Sequence, residues 1–539
     1  MKVSYRGLLI VSILAAGILF SVPAMAYNVV VDNFGGTSTN GSFVSHVWTP
    51  TGEPSNLDFA DLLAEITTGN VEIITNGSGN ITINPSFGYA LAANRQLTLS
   101  AQGDITIRGI NASGTGELSV VADATGAVTN EAAGLDTNGG SFTSNGTTFL
   151  SKDPGIQTDG GNILIQHTGT VTVTGGGIHP VGGSFTSYGT DFFVSGTGLG
   201  TAGGNVVLHH TGAVNITNGG AYTGGGSFIS YGTSFSTTDN GVDTVGGNIN
   251  LHHTGAVSIT GGGIRTGSGS FTSSGTSFLS AGTGLNTNGG NVVLNHTGAI
   301  TLINLGVQTF GGSFTSSGAG FSATALQTGG GNARLTQTGN ISITGGGVNT
   351  GGGSFTSSGV NFTTQDSGLT TGGGNATLNH TGSVDITNGG VVTEGGDFRI
   401  NSSATASFTN NGVVTRGGII LAQSNGLIHV YPGTDFSSGG MSDDGGDITL
   451  RSATGITLDS AIGTQTGTGG QLFLQGNTAA IVLNQPPVLG AGDIILYVGT
   501  LQPASIPTLS EWGMIIMSLV LLVTALQAIR QKTGFTSQP

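Results

Sequence analysis

Cysteine is absent from the 539 residues, charged side chains make up only 7%, and just 12 residues are Lys or Arg. Without cysteine there is no disulfide scaffold and no thiolate metal site, and the chain suits passage through an oxidising periplasm. Scarcity of cations excludes another class. Between Tyr27 and Thr508, 8 Lys/Arg stand against 26 Asp/Glu, a net charge of −18 for that stretch. Nucleic-acid binding needs clustered Lys/Arg to neutralise phosphates, and no such cluster exists, so no nucleic-acid partner is expected. Gly-Lys-Ser/Thr is also missing, so runs such as Gly175-Gly176-Gly177 are not phosphate-binding loops. What the chain has in abundance is glycine, 101 residues of it. Glycine does not fall at every third position as in collagen. It punctuates short alternating apolar runs, the pattern of turn residues that supply positive φ at corners.

From Gly139 to Gly396 the chain is a tandem repeat. A Gly-Ser-Phe anchor recurs at Phe142, Phe185, Phe228, Phe271, Phe314 and Phe355, in steps of 43 residues except for a last step of 41. Phe398 follows 43 residues later. A second anchor, Gly-Gly-Asn, recurs at Asn162, Asn205, Asn248, Asn291, Asn332 and Asn375. A fixed period of this size signals a solenoid. Each repeat divides in two, 21 residues from Phe185 to Val206 and 22 from Val206 to Phe228. Both halves share one frame: Gly, an anchor, a polar corner, a second short strand, then Gly-apolar-x-Thr. This frame predicts an all-β, right-handed parallel β-helix of about 20 coils with about 21 residues each. At about 4.8 Å per coil it would extend on the order of 100 Å. Phe-anchored and aliphatic coils would alternate, placing large beside smaller side chains in one inward column.

The flanks complete the organisation. Residues 27–68 are not repetitive and read as an N-terminal cap. Asn28–Val31 is a short strand. Ser55 to Ile66 carries a helical pattern, with Phe59, Leu62, Leu63 and Ile66 on one face and Asn56 or Asp58 as N-cap. An amphipathic helix there would cover the open end of the solenoid. Residues 69–138 read as irregular coils, with period-2 strands at 71–74, 81–83, 97–99, 105–107 and 118–120. Residues 139–396 hold the six two-coil repeats, 397–499 further coils, and 500–505 a linker. The run Leu97 to Ile107 resembles coils of filamentous-haemagglutinin-like adhesins.

Both termini read as addresses. Residues 1–26 have the form of a secretory signal peptide: Lys2 and Arg6, the apolar run Gly7–Phe20, and Ala24-Met25-Ala26 before Tyr27 as the cleavage site. This implies the Sec translocon and signal peptidase as partners. At the other end Ile506-Pro507-Thr508-Leu509-Ser510-Glu511-Trp512-Gly513 precedes an apolar run, Met514 to Ala528, then Arg530 and Lys532. The run approaches the length of a transmembrane helix. The following basic residues predict a cytoplasmic tail over 533–539, with Trp512 at the opposite interface. This order closely resembles the IPTL-CTERM sorting signal of Gram-negative bacteria, over residues 506–532. The resemblance implies recognition by an exosortase-type peptidase. It further implies transient single-pass anchoring, then release to the cell surface, outer envelope or medium. Ile506, Pro507, Thr508, Leu509, Glu511, Trp512, Gly513 and Arg530 would be recognition elements rather than catalytic ones.

Candidate chemistry in the body is sparse. His167, His210, His253, His296 and His380 occupy one repeat position, which Gln337 fills once. Neighbours would lie two coils apart, roughly 9–10 Å, too far to share a metal ion. Replacement by glutamine fits an imidazole that bonds backbone groups at a corner. The residue before each of these, as at His209 and His252, should face solvent. The Asn after Gly-Gly should form ladders bonded to the backbone of the next coil. Asp443, Asp444 and Asp447 form a weak calcium candidate without the nine-residue Gly-Gly-x-Gly-x-Asp repeat. Asp191, Asp239, Asp243 and Asp366 are scattered, as are Lys152, Arg265 and Arg334, and no set of paired carboxylates or Ser/His/Asp stands out. No catalytic residue and no cofactor is therefore assigned, and the chain is not expected to be an enzyme. The expectation is an exported structural or adhesive β-helix that contacts extracellular polysaccharide or the glycans of a host or neighbouring cell. The alternatives are a polysaccharide lyase or hydrolase and a passive spacer.

Overall fold

The computed structural model describes residues 25–84, 87–439, 446–463, 471–476, 481–488, 494–498 and 501–503. The signal stretch up to Ala24, Asp443, Asp444 and the sorting tail from Ile506 to Arg530 lie outside these residues. Within them the architecture is an all-β parallel β-solenoid, about 20 coils, with one short helix. The chain divides into two compact units, Met1–Thr190 and Asp191–Pro539.

In the first unit three ladders of parallel strands run through the coils. The long-strand ladder includes Val71–Ile74, Arg95–Ala101, Leu118–Ala124, Phe142–Gly146, Ile163–His167 and Phe185–Gly189. The middle ladder runs through Ile81–Ile83, Ile105–Ile107, Val128–Asn130, Phe149–Ser151 and Val171–Val173. Two-residue strands such as Leu135–Asp136 and Ile156–Gln157 make the third. Strict alternation of buried and outward residues, as in Leu97-Thr98-Leu99, is what a two-residue period demands when one face is dry. The beginning of this unit is more elaborate than its non-repetitive sequence suggests. Gly41–Val44 and Val47–Pro50 form an antiparallel hairpin, and Trp48 is buried with its indole N–H donating to Ser55 Oγ at 3.2 Å. Ser55–Asp58, expected to open the helix, is a strand paired with Val29–Asp32. The helix is Phe59–Thr68, and of the two candidate caps it uses Asp58, which accepts from Ala60 N–H at 2.9 Å. Backbone amides of Gly36, then Ala60 and Phe34, hold the Asp58 carboxyl below its usual range against the opposing effect of burial. Leu62 and Ile66 are buried beneath the helix. Arg95 closes its last turn by donating to the carbonyls of Ile66 and Thr67 at 2.9 and 2.8 Å.

The second unit repeats one design. Phe271–Gly275, Phe278–Ser280 and Leu285–Asn286 make one coil, and Val292–His296, Ala299–Leu302 and Val307–Gln308 the next. Phe271 faces Val292, Phe278 faces Ile300, and Leu285 faces Val307 in register. The expected Phe/aliphatic column is thus present, and a second one runs beside it on the middle strands: Phe235, Val257, Phe278, Ile300 and Phe321. The two Phe of one coil touch, with ring centroids 5.8 Å apart for Phe271 and Phe278.

Corners are built from polar groups rather than from glycine alone. Buried Thr287 donates to the carbonyl of Gly290 at 2.5 Å, and Thr158, Thr244 and Thr415 do the same to their own glycines. Between them Asn288 and Gly289 take positive φ, 47° and 114°. Gly290 is glycine for space: a Cβ there would lie 1.9 Å from the carbonyl oxygen of Gly269 one coil back. The asparagine ladder is as expected, with Asn248, Asn291 and Asn332 each accepting from the backbone N–H of Ser270, Ser313 and Ser354 at 2.8 Å. At the far end, the stretch read as a linker contributes a strand instead, Leu501–Pro503, paired in parallel with Ile481–Leu483. Two alternating residues sufficed for another rung, a signal too short to separate from a linker.

Candidate functional site

The histidine column lies inside the wall. His167, His210, His253, His296 and His380 are 3–5% exposed, at the last position of their long strands. Their partners correct the expectation of corner backbone groups. His167 and His380 share a hydrogen bond with Ser144 Oγ and Ser357 Oγ at 2.9 Å, and His296 with Ser273 Oγ at 3.2 Å, each serine one coil earlier. Each ring also packs on the middle-strand Phe of that earlier coil, at 5.4 Å for Phe362–His380. Gln337 keeps the serine contact, donating to Ser316 Oγ at 3.0 Å. Burial pushes all five imidazoles down to about 4, so they are neutral at pH 7. Nδ1 of His167, His296 and His380 has no partner. A proton on Nε2, donated to the serine, therefore fits best, because a bare acceptor lone pair is cheaper to bury than a bare N–H. Among the described residues no group of His, Asp and Glu is arranged to hold a metal ion. Asp447, the described member of the calcium candidate, accepts from Gln471 N–H at 2.9 Å.

What matters for a site is where this column stops. Beyond His380 the same register position holds Ser402, Ser424, Ser452 and Gly476. Four consecutive coils therefore lack an imidazole at this corner. The serines bond the corner backbone, which is the role expected of histidine. Ser402 and Ser452 donate to Gly382 and Gly426 carbonyls at 2.7 Å, and Ser452 also accepts from Gly455 N–H at 2.8 Å. Over these coils the outer wall carries a groove of about 580 Å³. Along its floor runs the outward position beside the serines: Asn379, Asn401, Gln423, Arg451 and Gln475, in register from coil to coil. Asn401 donates to Asn379 Oδ1 at 2.8 Å. The Arg451 guanidinium lies over the Phe473 ring, 5.4 Å from its centre. Among the described residues no carboxylate lines the groove.

Further back on the same outward ladder, within the second unit, the floor is aromatic. His209 stacks on Tyr231 at 4.8 Å, and Tyr231 on His252 at 5.3 Å. His252 is exposed and His209 half-buried, as parity predicted for this position. A smaller cleft of about 230 Å³ lies in the first unit, lined by Asp136, Gln157 and His179 among others. Burial, aided by the charge of Asp159, raises the Asp136 carboxyl, against a stabilising bond from Asn138 N–H.

Sequence reasoning missed the groove. Aligned on Phe398, Ile420 and Ile448, the triplets Asn401-Ser402-Ser403, Gln423-Ser424-Asn425 and Arg451-Ser452-Ala453 carry the signal. It shows only once these coils are laid on the repeat and the missing histidine is noticed.

Among the described residues no helix is long and apolar enough to cross a membrane, and the apolar run Met514 to Ala528 lies outside them. Residues 504–531 match the IPTL-CTERM motif, a stretch that contains every residue from Ile506 to Arg530 named above. Comparison with curated proteins and with solved structures finds no significant match. The motif implies export to a cell-surface or envelope location, and processing by an exosortase-like sorting enzyme.

Proposed function

We propose that the protein is a surface-displayed solenoid that holds extracellular polysaccharide in the groove spanning Asn379 to Gln475, without cleaving it. A signal peptide, residues 1–26, and a transmembrane run, Met514 to Ala528, would deliver it. The tail would then be removed and the repeat body presented outside the cell. One observation carries the adhesive reading: an open groove paved by amides, hydroxyls and one guanidinium appears where the regular wall loses its imidazoles. Amide and hydroxyl groups offer the mixed donors and acceptors that sugar hydroxyls need. Cleavage of a glycosidic bond calls for a carboxyl acid and a base facing the scissile bond. The described groove lining supplies no carboxylate.

The specific observation favouring an enzyme is the raised Asp136 beside His179 in the smaller cleft. One experiment separates the two. The protein released from the surface of producing cells is mixed with matrix polysaccharide, and both binding and new chain ends are measured. Saturable binding without new chain ends is expected. Steady release of chain ends, abolished by Asp136→Asn, would replace this reading with catalysis. Absence of binding would leave a passive spacer.

A further inference from the structure

We infer that the groove selects an acidic polysaccharide, one whose sugars carry ring carboxylates, and that Arg451 is the residue that reads the carboxylate. This rests on the groove being the glycan site. The body is strongly acidic, yet among the described residues the groove lining contains no Asp or Glu and does contain an arginine. Three of the seven described arginines, Arg108, Arg399 and Arg416, are held in local ion pairs. Arg399 is held by Asp397 at 2.9 Å and Arg416 by Glu394 at 2.6 Å. Among the described residues no carboxylate lies within ion-pair distance of Arg451. Asp447, the residue before the Arg451 strand, is roughly 13 Å away along the chain. Instead Phe473 supports the flat face of the guanidinium, which leaves its N–H edge for a ligand.

Position on the ladder sharpens the point. In the repeats of the second unit, the register equivalent to Arg451 holds His209, Tyr231, His252, Ser274, Asn295, Ser317, Thr336 and Ser358, with no Lys or Arg. The cation enters the ladder only inside the groove. A planar guanidinium matches a carboxylate through two parallel N–H···O bonds. The flanking amides of Gln423 and Asn401 sit at steps of about 4.8 Å, close to the advance of one sugar along an extended glycan chain, so hydroxyls of successive rings meet successive rungs. Other polyanions fit less well. Nucleic acid would need several cations along the track. A peptide recognised by strand addition would need a free backbone edge, and the long strands flanking the groove are already paired on both sides.

The test uses the protein released from producing cells, immobilised, with polygalacturonate, its methyl-esterified form and poly-glutamate as probes. Polygalacturonate should bind roughly tenfold or more tightly than the ester. Arg451→Gln should erase that preference, bringing polygalacturonate binding down to that of the ester, and Arg451→Lys should restore part of it. Equal binding of acid and ester would overturn the acidic selectivity yet leave glycan binding standing, and a preference that survives Arg451→Gln would overturn the role of Arg451. Poly-glutamate binding as well as polygalacturonate would overturn recognition of a sugar chain. Binding of none of the probes would overturn the glycan reading along with this one.

Discussion

At the residue scale, the histidines show how one side chain type divides by strand parity. His209 and His252 face outward and stack on Tyr231, whereas His210 and His253, one residue on, are sealed in the wall. Each buried imidazole binds a proton less readily folded, at about 4, than in an unfolded chain, near 6.5. The unfolded state therefore takes up protons first as pH falls. The stability these residues contribute is complete above about pH 6.5 and is lost progressively down to about pH 4. At about 1.4 kcal/mol per pKa unit, each amounts to on the order of 3–4 kcal/mol when the loss is complete. The thermal midpoint should therefore fall between pH 7 and pH 5. A variant with all five changed to glutamine, the residue already accepted at Gln337, should fall clearly less. Equal acid sensitivity in the two proteins would contradict the neutral, buried assignment. Parity of this kind was legible in the sequence because alternation is rigid in a strand. The serine and Phe partners were not, because they come from the preceding coil and only register brings them together.

At the element scale, a coil is stabilised by what lies above and below it. Phe271 sits between Ile249 and Val292, and Phe278 between Val257 and Ile300. The repeat period made the coil and its Phe anchor readable, and the Asn ladder with them. The second Phe column, on strands of three residues, was hidden by strands too short to show a period. The N-terminal hairpin was missed for a similar reason: residues 41–50 carry little alternation, and Trp48 acquires its burial from tertiary packing. Phe271→Ala should cost about 3–5 kcal/mol. Because coils contact only their neighbours, the loss should be local. Hydrogen exchange should quicken in the coils from Ile249 to Val307 and leave those beyond Phe398 unchanged. Uniform acceleration along the second unit would contradict nearest-neighbour stabilisation.

At the scale of the whole molecule, the regular and irregular parts have different duties. Regular coils use Phe, Val, Thr, Asn and His for stacking and corner bonding, and these demands account for their repetition. In the proposed function, the groove lies where the pattern breaks, and the sorting motif lies at residues 504–531. The sorting tail was legible because a linear signal is read by an enzyme as sequence. The groove was not, because its outward side chains, Asn379, Asn401, Gln423, Arg451 and Gln475, come from successive coils that only register brings together. If the tail is processed, mass spectrometry of the surface form should find no peptide containing Trp512, and an intact tail there would refute processing. The most direct test of the central claim removes outward amides from the groove floor. Asn401→Ala combined with Gln423→Ala and, as control, Asn295→Ala on the regular ladder are compared with the unaltered protein for binding to matrix polysaccharide. The groove assignment predicts that the double variant binds at least tenfold more weakly, about 1.4 kcal/mol, and that Asn295→Ala has no effect. Full binding by the folded double variant would show that the ligand is held elsewhere and contradict that assignment.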